Sequence, residues 1–273
     1  MAEQQKEMSF LGHLEELRWH LVRSVAAIFI LAITFFIFAQ EVYDYFLLAH
    51  IKPDFITYQL FCDFFNLFGM DSAFCNVNFA EKKLQSIKVT SQLMNSIWSS
   101  LILGLIISFP YLLWEIWRFV SPGLTKNEIK KSRGFIFIAS FLFFIGVLFS
   151  FYVIAPISIH FLYNYQITDA IENSFTLESH IGLVTNMLLG VSVLFELPVL
   201  IYFLTKIGLI TPTFLKRYRK HALVLVLILA AIITPPDVMS QIIVAIPILI
   251  LYEIGIKVSR RVIKNQEKNA NKS

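Results

Sequence analysis

Residues 135–154 read FIFIASFLFFIGVLFSFYVI, an unbroken run of uncharged side chains. Wound into a helix rising 1.5 Å per residue, about twenty residues cross the roughly 30 Å hydrocarbon core of a bilayer. The run is too long for a buried strand and too uniformly apolar for a helix with one face in water. The pattern recurs on both sides of it. Charge-free windows cover 24–40 and 89–114, and the window 179–205 is interrupted only by Glu196. Two shorter windows, 221–236 and 238–252, are separated by Asp237. Pro235-Pro236-Asp237 forces a turn between them, because consecutive prolines cannot continue a helix. The expected fold is an all-α polytopic membrane protein with six transmembrane helices, the fifth and sixth short.

Composition agrees and removes other classes. Of 273 residues, 57% are hydrophobic and 15% charged, with 27 phenylalanines. Soluble domains carry about 25% charged residues. The ten glycines form no P-loop and no G-x-G-x-x-G fingerprint, and neither H-E-x-x-H nor G-x-S-x-G occurs. ATP hydrolysis, hydride transfer and metalloprotease chemistry lack their sequence supports. The expectation is a protein that is not an enzyme, with no cofactor and no metal.

Lysine and arginine orient the chain, since cytoplasmic segments collect them. Lys6, Arg18 and Arg23 precede the first span. Arg118, Lys126, Lys130, Lys131 and Arg133 crowd the loop 118–133. Five more fall in 206–220 and six from Lys257 onward, whereas the loop 41–88 holds four and 155–178 none. Both termini are expected in the cytoplasm, and the net charge of +4 needs no nucleic acid to explain it. No cleavable signal peptide is expected, because carboxylates and basic residues mix ahead of the first span. Residues 1–261 are expected to form a single membrane domain and 262–273 a cytoplasmic tail.

The loop 41–88 has an apolar centre, FCDFFNLFGMDSAFC at 61–75, which suits packing on the protein or the membrane interface. Cys62 and Cys75 share its oxidising side, so they form either a disulfide or two buried thiols. Ahead of the first span, Phe10, Leu14, Leu17 and Leu21 share one helical stripe and predict an amphipathic helix. By periodicity alone, Glu15, Glu16 and Arg18 are its ordinary polar surface. Glu196 lies about 15 Å deep in the fourth span, where an acid is costly. It is either a functional carboxyl or a helix-bridging hydrogen-bond donor. Glu115 and Glu253 read as acids near helix ends, and the histidines as interface or loop residues. Thr234, Asp237 and Gln241 cluster at the apex of the last hairpin.

HLEELR at 13–18, FVSPGLTKNE at 119–128, FELP at 195–198 and TPPDVMSQ at 234–241 occur in this order on the six spans. The chain thereby resembles the TatC family, the polytopic subunit of the twin-arginine protein translocase, over about residues 9–261. The resemblance implies that Glu16 and Glu128 read the paired arginines of a signal peptide, with Arg18, Phe119, Pro122 and Leu124 shaping the site. Guanidinium suits bidentate carboxylate pairing, which lysine cannot copy. It further implies that Glu196, Thr234, Asp237 and Gln241 line an intramembrane groove for the signal peptide or for TatA- and TatB-like single-span subunits. The implied setting is a homo-oligomeric complex in a bacterial cytoplasmic (inner) membrane, driven by the proton-motive force, with membrane lipid and no nucleic acid as further partners. The rival reading is a proton- or ion-coupled small-solute transporter using Glu196 and Asp237.

Overall fold

The computed structural model describes residues 10–67, 75, 84–120, 126–168, 170, 173–234 and 238–270. Among them regular structure is helical, apart from one parallel bridge between Gln85 and Thr176. In chain order the helices are α1 (Phe10–Ile37), α2 (Ile56–Leu67), α3 (Ser91–Val120), α4 (Lys126–Phe149), α5 (Ala155–Asn164) and α6 (Leu177–Phe195). They continue with α7 (Leu197–Lys206), α8 (Pro212–Arg217), α9 (Arg219–Ile233) and α10 (Val238–Ala270). Among the described residues, five helical segments are long and apolar enough to cross a membrane: Leu14–Ile37, Ser91–Phe119, Gly134–Asn164, Leu177–Lys206 and Ser240–Lys268. Large apolar side chains such as Ile30, Ile37 and Phe137 stay exposed on them, the surface expected of a protein solvated by lipid.

One expectation about the helices needs correction. The last helix is not short: α10 runs 33 residues, through the expected tail as far as Ala270. Its charge-free window ends at Tyr252, but Glu253, Lys257, Arg260 and Arg261 are sound helix formers. Loss of hydrophobicity marks where lipid solvation should end, not where a helix must. α9, with 15 residues, is as short as the sequence indicated. The N-terminal amphipathic stretch runs directly into the first span, since α1 continues unbroken into the first apolar window and leaves Leu14, Leu17 and Leu21 exposed. Pro110 and Pro247 lie inside continuous helices, whereas Pro198 opens α7 just after the chain leaves α6.

The chain divides into two compact units. The first comprises Met1–Ala39 and Ser96–Phe141. Here α1 and α3 approach closely at Gly104, where an added Cβ would lie 2.8 Å from Ile28 O and 2.9 Å from Ala32 N. Without a hydrophobic effect between helices in lipid, such small-residue contacts carry the packing.

The second unit comprises Gln40–Asn95 and Leu142–Ser273. Its core includes the fully buried Ile154, Ile181, Met187, Leu188 and Ile248. The described first half of the loop 41–88 is anchored on it. His50 Nε2 donates to Phe151 O at 2.8 Å, Tyr58 Oη to His50 O at 2.8 Å, and Thr57 Oγ1 to Tyr152 O at 2.5 Å. His180 Nε2 donates to Leu47 O at 3.2 Å, and Tyr163 Oη donates to His180 Nδ1 at 3.0 Å. His50, in the loop as expected, is thus a buried anchor, and His180 is a buried anchor on α6 rather than a loop or interface residue. Cys62 on α2 is bonded to Cys75, with 4.8 Å between their Cα atoms.

Candidate functional site

The HLEELR stretch lies on the first two turns of α1, and Phe119 near the end of α3, within the first unit. Glu16 is half-buried, and its Oε2 is buried with no hydrogen-bond partner among the described residues. A carboxylate oxygen in that condition is under-solvated. Arg18 is exposed, 3.7 Å from Glu15 and 5.6 Å from the centre of the Trp19 ring. Such an exposed ion pair holds its partners weakly, so the guanidinium stays available. Glu128 lies in the first turn of α4, but its side chain is outside the described residues, as are Pro122 and Leu124.

The structure adds a pair that the sequence reading missed. His20 on α1 and Glu115 on α3 are both buried, and His20 Nδ1 donates to Glu115 Oε2. Tyr111 Oη donates to Glu115 Oε1 at 2.8 Å, and Arg118 lies 3.8 Å from the same oxygen. The His20 ring meets Phe119 edge-on, with centroids 6.2 Å apart. Glu115 is thus a buried hub rather than an acid reaching for water. Spacing was the available signal: Glu16 and His20 lie at i, i+4, as do Glu115 and Phe119, so each pair shares a helix face.

The second set of expected residues lies in the other unit. Glu196 ends α6 and precedes α7, at a break where Val199 N and Leu200 N both donate to Glu196 O at 2.9 Å. Its Oε1 is buried with no hydrogen-bond partner among the described residues. Thr234 Oγ1 donates to Ala230 O at 2.9 Å, and Gln241 Nε2 donates to Leu227 O at 3.0 Å, tying α10 to α9. Both side chains are engaged by backbone, so among the described members of this set Glu196 is the one with an unmet buried oxygen. Asp237 lies outside the described residues. Nearby, Ser158 Oγ and Ser240 Oγ share a hydrogen bond of 2.5 Å.

Helices of bilayer length with buried carboxyls between them define an all-helical, multi-pass membrane protein. Residues 12–247 match the family described as Sec-independent protein translocase protein (TatC), and the chain belongs to that family. It is 40% identical over 266 residues to the Sec-independent protein translocase protein TatC of Blattabacterium sp. subsp. Periplaneta americana, covering 97% of this chain and 100% of that one. The TatC of Carboxydothermus hydrogenoformans is 36% identical over 93% of this chain and 94% of its own. A crystal structure of the twin arginine translocase receptor TatC matches with a TM-score of 0.70 at 30% identity, over 92% of this chain and 99% of that one. The chain is a component of the Sec-independent translocase and not an enzyme. The small-solute transporter reading falls with this match.

Proposed function

We propose that this chain is the receptor subunit that recognises twin-arginine signal peptides, through Glu16 and Glu128 with Arg18, Phe119, Pro122 and Leu124 around them. The observation that carries the reading is the buried Oε2 of Glu16, which has no hydrogen-bond partner among the described residues, on the helix that bears the HLEELR motif. A guanidinium presents paired N–H donors to a carboxylate, and each charge-assisted contact contributes about 1.5–3 kcal/mol. Two carboxylates suit two adjacent arginines. The motif order and charge distribution support six spans with both termini in the cytoplasm of a bacterial inner membrane. In this reading α9 is the short fifth span, which at about 22 Å needs a locally thinned bilayer.

Docked cargo then recruits TatA- and TatB-like single-span subunits to the region of Glu196, Thr234, Asp237 and Gln241. Several copies of the chain assemble in the complex, and the proton-motive force drives export. Photo-crosslinking to a twin-arginine peptide tests recognition. Glu16→Ala and Glu128→Ala should each abolish the crosslink while leaving the protein inserted, and a twin-lysine peptide should crosslink poorly to the wild type. Unchanged crosslinking in both variants refutes the site assignment.

A further inference from the structure

Glu115 occupies an unfavourable position: it is a carboxyl only 1% exposed, on an apolar helix. Both oxygens are nevertheless engaged, Oε2 by His20 Nδ1 and Oε1 by Tyr111 Oη. Buried pairs of this kind seldom add stability over well-packed apolar residues, and their best-attested use is to fix one register.

The surroundings show which register is at stake. His20 is one turn along α1 from Glu16, and Phe119 is one turn along α3 from Glu115. The His20 ring lies against the Phe119 ring, and on α1, the helix of His20, Glu16 Oε2 is buried with no partner among the described residues. One hydrogen bond across 95 residues of sequence therefore ties the helix carrying Glu16 to the helix that leads into the loop 118–133. Rotating α1 by a single residue, about 100°, breaks that bond and turns Glu16 to another side.

We propose that His20 and Glu115 are positioning residues for signal-peptide recognition: their buried hydrogen bond sets α1 against α3 so that Glu16 and Phe119 meet the paired arginines together. This rests on the receptor function proposed above. The pair touches no arginine itself and acts through the residues one turn away on each helix.

The test is equilibrium binding of labelled twin-arginine and twin-lysine peptides to the full chain in nanodiscs. Glu115→Gln and His20→Gln should each weaken twin-arginine binding by about tenfold or more and draw the arginine-to-lysine preference towards one. The double variant should bind no worse than either single, because one interaction is lost in all three. A merely structural role would lower the yield of folded protein without changing the preference of the folded fraction.

Singles that insert and keep the wild-type preference overturn the proposal, as do losses that multiply in the double variant. Should the singles fail to insert, the swap His20→Glu with Glu115→His restores the pair in reverse. Wild-type preference in the swap supports positioning; an inserted swap without preference, or one that does not insert, overturns it. A wild type that fails to distinguish the peptides overturns the receptor function instead.

Discussion

Replacing Gly104 by alanine adds one methyl group where α1 and α3 leave it no room. The new Cβ would stand 2.8 Å from Ile28 O, 2.9 Å from Ala32 N and 3.2 Å from Ala32 Cα. Ordinary van der Waals contact begins at 3.4 Å, and all three atoms are backbone, so relief requires the helices to separate. Overpacking of this kind costs about 1–3 kcal/mol. Alanine also stabilises a helix interior by roughly 0.5–1 kcal/mol relative to glycine. Gly182, inside α6, isolates the contact effect, because an added Cβ there meets nothing within 4 Å. The propensity gain is common to both substitutions and cancels in their difference. Unfolding of the purified chain in bilayer-mimicking micelles, titrated with denaturing detergent, should place Gly104→Ala about 1–3 kcal/mol below Gly182→Ala. Agreement of the two within about 0.5 kcal/mol would refute the close helix approach.

Three other outcomes follow from particular residues. Burial pulls the His50 pKa from 6.5 down to about 4, with His180 and Tyr58 packed beside it. A histidine whose folded pKa lies below its unfolded value stabilises the fold above pH 6.5, and that stability is lost as pH falls towards 4. The loss amounts to about 3 kcal/mol, which His50→Gln should remove from the pH profile of unfolding; an unchanged acid slope in that variant refutes the assignment. Gly208 sits at φ +79° after α7, so Gly208→Ala should destabilise by about 1–2 kcal/mol in the same titration, and no loss would count against a left-handed cap there. Glu196→Gln keeps the shape of the side chain and should insert and bind signal peptide normally but export poorly, whereas wild-type export in cells would refute a functional role for the carboxyl.

The helical fold class was legible because lipid imposes a one-dimensional rule: a segment that crosses must be apolar for about twenty residues whatever its neighbours do. The twenty residues of 135–154 state it without reference to the rest of the chain. Length failed where charge returned, at α10, because composition records solvation and not helix termination. The motif acids Glu16 and Glu196 were legible as residues, yet their unpartnered oxygens were not.

Sequence alone determined that this is a polytopic helical protein of the TatC pattern, since hydropathy and short ordered motifs are local. Only the tertiary structure decided that His20 and Glu115 meet, that His50 and His180 are buried anchors, and that Gly104 is a crossing point. Each depends on which face of one helix turns towards another. A buried hydrogen bond is a property of two segments in contact, and residues 95 apart in sequence carry no mark of it until the chain has packed.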